Sequence, residues 1–267
     1  MKVIEWDALI TGNVRISEPL SMALGVFDGL HRGHQALISH ARDQREGAAP
    51  AVLTFIPNPK KVIAPWKYGG NLDSYRLRLE LMEEAGVEYL IVVGFTEAFA
   101  RVPGRRFLDD LKNTVDPKLV VVGQSFRCGH KNSTDCGQLA THLGRHGIRV
   151  DIIPPVVDNV LRETISSTGI RKALLKGDLA TAERLLGRNY AVDIVEPGIA
   201  SSDHELRFAK AKLDQLVPAP GRYAARLHFG DAQTDGIVIT TEDGVIVPTA
   251  AKELNRITFY ANNTQKE

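Results

Sequence analysis

Apolar runs of strand length alternate with amphipathic stretches of helix length through the first 155 or so residues, and that rhythm constrains the fold more than any composition figure. The runs fall at 21–26, 51–55, 89–93, 119–122 and 149–153, and helical patterns begin near Gly33 and cover 72–85, 105–113 and 138–145. Strands joined through helices by short links pair in parallel, and the helices then cover both faces of the sheet. LVVV at 119–122, apolar at every position, suits a strand buried on both sides. The expected fold class is α/β, a doubly wound parallel sheet. With 43% hydrophobic residues, the 267-residue chain holds core material for such a domain and a small companion.

The first strand–helix unit is the densest in chemistry. In GVFDGLHRGH, 25–34, a strand ends, glycines turn the chain, and a helix begins with His31 and His34 three residues apart. Gly25, Gly29 and Gly33 carry no Cβ, so the backbone turns sharply and another group approaches it closely. The first-turn N–H groups of the helix have no internal partner, and with the helix dipole they favour an anion. A second helix start lies far downstream in ISSTGIR, 165–171. Ser166, Ser167 and Thr168 are cap-forming residues, and Arg171 adds a fork of donors suited to phosphate oxygens. Either stretch alone reads as a capped surface helix; the two in this order form a far narrower pattern.

Together they resemble the paired signatures of the HxGH nucleotidyltransferases. The FDG before the first histidine resembles the adenylyltransferase module of the bacterial bifunctional riboflavin kinase/FAD synthetase family. The resemblance implies a Rossmann-like domain over 1–188 that transfers AMP from ATP to FMN, giving FAD and pyrophosphate. It implies that His31, His34 and Arg171 are catalytic, and that Gly25, Phe27, Asp28, Gly33, Ser166, Ser167 and Thr168 bind the nucleotide. Mg²⁺ is expected with ATP, bridging phosphate oxygens and keeping much of its water, with no protein metal site.

On the acceptor side TFIPNP, 54–59, is similar to the family's TFDPHP, which assigns Pro57, Asn58 and Pro59 to the flavin; Ile56 and Asn58 stand for an acid and a histidine. GQSFRCG, 123–129, is similar to GEDFRFG and assigns Ser125, Phe126 and Arg127, with Gln124, Ser125 and Cys128 substituted. Thr164 stands where the family often has a basic residue. The ATP half matches and the acceptor half has drifted. Two alternatives therefore stay open: transfer to another phosphorylated acceptor, or a non-catalytic flavin- or nucleotide-binding descendant.

From about Asn189 the stretches YAVDIV, GRYAARLHF, DGIVITT and GVIVP, broken by turns such as Asp243-Gly244, predict a small antiparallel β unit over 189–267. Following LLGR, it resembles the opening of the family's riboflavin kinase barrel, though shorter. RFAKAK, 207–212, stands where that signature reads approximately GFPTAN. Lys210 and Lys212 replace the Thr and Asn, and an ammonium has no lone pair for a cation. No kinase activity is expected.

A net charge of +1 argues against a general nucleic-acid binder. The opening MKVIEWDALITG is interrupted by acids where a secretory signal needs an apolar core, and no run approaches bilayer-spanning length. A cytoplasmic chain without membrane contact is expected, with Cys128 and Cys136 as ordinary reduced thiols, since their spacing with His130 and His142 fits no common zinc pattern. Prolines 57, 59 and 65 predict an irregular loop over 54–70.

Overall fold

The alternating apolar runs assemble into one six-stranded sheet in the computed structural model, which describes residues 1–194, 199–202, 205–249 and 253–265. Its strands are β1 (Lys2–Glu5), β2 (Leu20–Leu24), β3 (Ala49–Ile56), β4 (Tyr89–Gly94), β5 (Pro117–Gly123) and β8 (Arg149–Ile153). The order is β1-β4-β3-β2-β5-β8 and every pairing is parallel. The two-residue strands β6 (Arg127–Cys128) and β7 (Thr134–Asp135) pair with each other. Interleaved are α1 (Trp6–Ile10), α2 (Arg32–Asp43), α3 (Pro59–Ile63), α4 (Tyr75–Glu84), α5 (Gly104–Thr114) and α6 (Cys136–Gly144). The doubly wound α/β class is what the chain adopts. β2 is buried along its whole length, with β3 on one side and β5 on the other. Strand order thus reverses at β2, and the crevice outside its carboxyl end is where open α/β sheets take ligands.

By contacts the chain divides into two units. The first is Met1–Phe27, Gly33–Tyr68 and Leu79–Val157; the second is Asp28–Arg32, Gly69–Arg78 and Asp158–Glu267. The first unit holds the parallel sheet. α5 buries Phe107, Leu108 and Leu111, and the Phe107 ring lies 5.9 Å from Trp6 and 6.2 Å from Phe55.

Two local expectations change. The 54–70 stretch is not irregular throughout: Asn58 caps α3, Pro59 takes its first position, and Pro65–Lys67 forms a single 3₁₀ turn. Proline is tolerated there because its missing N–H would have had no partner in a first turn. The helix expected from 72 begins at Tyr75, since Ser74 Oγ accepts the Leu77 N–H at 3.0 Å and sets the start.

The second unit contains α7 (Ser167–Leu174), α8 (Leu179–Leu186) and the expected antiparallel β structure. Its strands are β9 (Tyr190–Asp193), β10 (Ile199–Ser202), β11 (Glu205–Ala209), β12 (Gly221–Phe229), β13 (Ala232–Thr240), β14 (Gly244–Pro248) and β15 (Arg256–Gln265). They lie in the order β10-β11-β14-β13-β12-β15-β9. β12 alternates buried Tyr223, Ala225 and Leu227 with exposed Arg222 and Arg226, so one face is core. α8 lies against β15, and the Tyr190, Tyr223 and Phe259 rings join the core. RFAKAK runs from β11 into a 3₁₀ turn at Lys210–Lys212.

Candidate active site

The predicted residues divide between the two units, and even the two signature histidines fall on different sides of that division. In the first unit, Gly25 follows β2 and its N–H donates to Leu53 O at 3.1 Å. Phe27 is fully buried with φ +50, and its ring lies so near that a Cβ on Gly25 would meet it at 3.1 Å. Gly33 and His34 occupy the first turn of α2, with the imidazole edge-on to Phe27 at 5.2 Å between centroids. Pro57, Asn58 and Pro59 follow β3, where Asn58 Oδ1 accepts the Lys60 N–H at 3.0 Å. Ser125 and Arg127 are exposed after β5, and Phe126 packs on the core of this unit. Because β3 and β5 flank β2, the acceptor-side loops issue from the same sheet edge as the glycine turn.

The second unit joins the remaining parts of both signatures. Asp28, 2% exposed, accepts the Leu72 N–H at Oδ1 (2.8 Å) and pairs there with Arg78 Nη2 (3.4 Å). Its Oδ2 pairs with Arg171 Nη2. Arg171 Nε donates to Gly70 O at 2.9 Å, and Ser167 Oγ donates to Asp28 O at 2.8 Å. Ser166 caps α7 by accepting the Gly169 N–H at 3.2 Å, while Thr168 stays exposed in its first turn. The glycine turn and the start of α7 are therefore tied by one carboxylate, one hydroxyl and one guanidinium.

His31 is 5% exposed, and burial, reinforced by the nearby Arg188 and Arg171 charges, lowers its pKa to about 4. The imidazole is therefore neutral near pH 7 and carries an N–H rather than a positive charge. Arg188 Nη1 donates to Gly29 O at 3.0 Å and Nη2 to Asp73 Oδ1 at 2.7 Å, pinning the turn that carries His31. Burial pushes the Asp73 carboxyl up against the opposing pull of Arg188, and its Oδ2 has no hydrogen-bond partner among the described residues. Beside the turn, Asp158 takes Arg184 Nε at 2.8 Å, Arg32 Nη1 at 2.9 Å, and the Val160 and Leu161 N–H groups, each at 3.0 Å. Arg184 and the Leu161 N–H hold its carboxyl well below the usual range.

Arg78, Asp73 and Asp158 are residues that motif reading passed over, and Arg188 entered it only as the last residue of LLGR, with no role in the site. Three guanidiniums, Arg78, Arg171 and Arg188, face two carboxylates, Asp28 and Asp73, leaving one net positive charge beside the amino end of α7. Such an arrangement suits a polyanion and preorganises donors for charge that develops during transfer. Cys128 and Cys136 are free thiols, and burial pushes Cys128 up to about 11, which makes it unreactive.

The chain matches the model of a family described as FAD synthetase over residues 14–169. It is 32% identical over 241 residues to the bifunctional riboflavin kinase/FMN adenylyltransferase of Listeria monocytogenes, covering 83% of this chain and 74% of that protein. The protein of the same description from Escherichia coli K12 is 33% identical over 223 residues, covering 81% and 71%. Among solved structures, one titled as a macrolide-efflux protein from Streptococcus pneumoniae shares the fold at TM-score 0.83 and 20% identity, covering 100% of this chain and 92% of that one. Among the described residues, no helix is long and apolar enough to cross a membrane.

Proposed function

Since this chain belongs to the FAD synthetase family, an enzyme family of nucleotidyltransferases, we propose that it moves AMP from ATP onto FMN through residues 1–188. A terminal phosphate oxygen of FMN attacks the α-phosphorus of ATP; the bond from that phosphorus to the β-phosphate oxygen breaks, and pyrophosphate leaves. The nucleophile is already ionised near neutral pH, so the barrier is dominated by positioning and by repulsion among anions. His31 donates its N–H to a phosphate oxygen, and His34, one helical turn on, does the same. Arg171 and the N–H groups and hydroxyls at the start of α7 take the β- and γ-phosphates. A Mg²⁺ accompanying ATP would be held by phosphate oxygens and water rather than by this chain's carboxylates, since Asp28 is already engaged by two guanidiniums and an N–H, and Asp73 by Arg188.

The observation that carries this reading is the Asp28–Arg171 pair, which ties the histidine turn to the second signature. The β unit over 189–267 is read as a kinase-like module without kinase activity, because Lys210 and Lys212 occupy the 3₁₀ turn where ligands for magnesium would be needed. We place the reaction in the cytoplasm, where ATP is made available.

The test is purified chain with ATP, Mg²⁺ and FMN, following FAD and pyrophosphate. Equal amounts of both support the reading. Pyrophosphate released only with a different phosphorylated acceptor moves the assignment to that acceptor, and binding without turnover makes the chain a sensor. Riboflavin in place of FMN tests the β unit, where any FMN formed overturns the statement about kinase activity.

A further inference from the structure

Away from the proposed nucleotide site, α5 and α6 bring together a carboxylate and two imidazoles in the first unit, with His142 paired to residues other than the cysteines considered for zinc from spacing. His142 Nε2 lies 3.0 Å from Asp109 Oδ1, and the His146 ring lies 5.7 Å from that of His142 at 61°. One donor atom from each of the three residues falls within 4.8 Å of the others. We propose that Asp109, His142 and His146 form a three-ligand site for a divalent transition-metal ion of the zinc class, separate from the magnesium that accompanies ATP.

The geometry supports this for His142 and Asp109, 3.0 Å apart, and the exposed His146 side chain closes the remaining separation by rotating about its side-chain bonds. With bonds of about 2.0–2.2 Å, His142 Nε2 and Asp109 Oδ1, 3.0 Å apart, subtend roughly 90° at the ion, so the metal takes the place of the proton that they share. Residues four apart lie on one side of a helical turn. α6 ends at Gly144, yet Arg145 keeps helical backbone (φ −62, ψ −17) and the His146 N–H donates to Leu143 O at 2.9 Å, so the turn reaches His146. Two imidazoles and one carboxylate suit zinc, cobalt or nickel, whereas magnesium prefers an all-oxygen octahedron. His142 also lines a cleft of about 700 Å³ walled by Arg105, Thr141 and Arg145, which gives an ion a route from solvent. Water fills the fourth position. Lys112 Nζ, 3.7 Å from Asp109 Oδ1, competes for the carboxylate and swings aside on binding. The bound ion clamps α5 to α6.

The experiment uses the untagged full chain, stripped with chelator and free of nucleotide, titrated with Zn²⁺ by calorimetry and with Co²⁺ by visible ligand-field absorption. We expect one ion per chain and at least a fivefold loss of affinity in His146→Ala, whose exposed side chain is removed without disturbing the core. Asp109→Asn repeats the loss from the other helix, and both variants are checked for unchanged circular dichroism. No saturable binding by the wild-type chain, or a loss smaller than fivefold in His146→Ala, overturns the proposal. Adenylyl transfer is not read in this experiment, so either outcome leaves the assignment of the nucleotide site to its own test.

Discussion

Replacing Asp28 by asparagine tests whether the carboxylate serves the nucleotide or the scaffold. Asp28 is 2% exposed and Arg78 4%, so neither charge reaches water once its partner is gone. Asparagine keeps an oxygen for the Leu72 N–H, now accepted at 2.8 Å. Its NH₂, however, turns a donor toward a guanidinium, and two arginines lose the charge between them. Breaking a buried pair from one side costs about 3–5 kcal/mol, because the surviving charge stays buried. The retained N–H bond puts Asp28→Asn at the lower end, about 3 kcal/mol. At roughly 2–4 °C per kcal/mol for a chain of this size, Tm falls by roughly 6–12 °C. The assay is thermal melting with a parallel urea titration, in which an unchanged slope assigns the loss to the native state. If Asp28 instead contacted the nucleotide alone, the variant would melt with the wild type and lose only ATP affinity. A Tm within about 1 °C of wild type would refute the reasoning.

Three further outcomes follow from the same geometry. His31 has a folded-state pKa of about 4 against an ordinary 6.5, so between those values the unfolded chain binds a proton that the folded chain refuses. Stability is full above the ordinary value and falls as the pH drops toward the folded one, by up to about 3 kcal/mol; NMR titration of the ring showing an ordinary histidine value removes the basis for this. Asp158→Ala strands Arg32, Arg184 and two N–H groups, so its urea midpoint drops further than that of Asp158→Asn, which still accepts from Val160 and Leu161; equal midpoints contradict this. Gly29 has φ +89, and an added Cβ would meet Leu72 Cδ1 at 2.7 Å. Gly29→Ala therefore loses more than about 1 kcal/mol in denaturant titration and slows pyrophosphate release, since the strain falls two residues before His31.

Much of the fold is legible from periodicity because each buried strand reads as an unbroken apolar run and each covering helix as a striped one. β1 escapes that reading: it is a four-residue edge strand, KVIE, with three exposed positions, and its place is decided by pairing with β4 rather than by its own composition. α3 was hidden for the opposite reason. Pro59, of a type that usually interrupts regular structure, stands at its first position, where the Asn58 cap turns an apparent breaker into a start. β15 begins with the alternating RITFY and continues as the polar ANNTQ, so its second half announces no strand; backbone pairing with β12 defines it.

The site is legible where function demands a residue type, and silent where burial does. Glycines, imidazoles, cap hydroxyls and Arg171 form a pattern because the phosphate chemistry proposed for them limits what stands there. Arg78, Arg188 and Asp73 carry no such mark, since a charged residue in a sequence is by default a surface residue. Arg78 and Asp73 are buried and Arg188 is half-buried because each finds an opposite charge supplied by a distant part of the chain: Arg188 meets Asp73, and Arg78 meets Asp28. That pairing has a physical rationale in the polyanion site proposed above. Guanidiniums gathered in a low-dielectric pocket repel one another and spread apart unless carboxylates hold them, yet full neutralisation would leave nothing for a phosphate to bind. Two carboxylates among three guanidiniums meet both requirements, fixing the donors in place while one positive charge remains. Burial, with the Arg188 and Arg171 charges adding to it, keeps His31 neutral, so the imidazole offers an N–H without adding to the repulsion that the carboxylates already restrain.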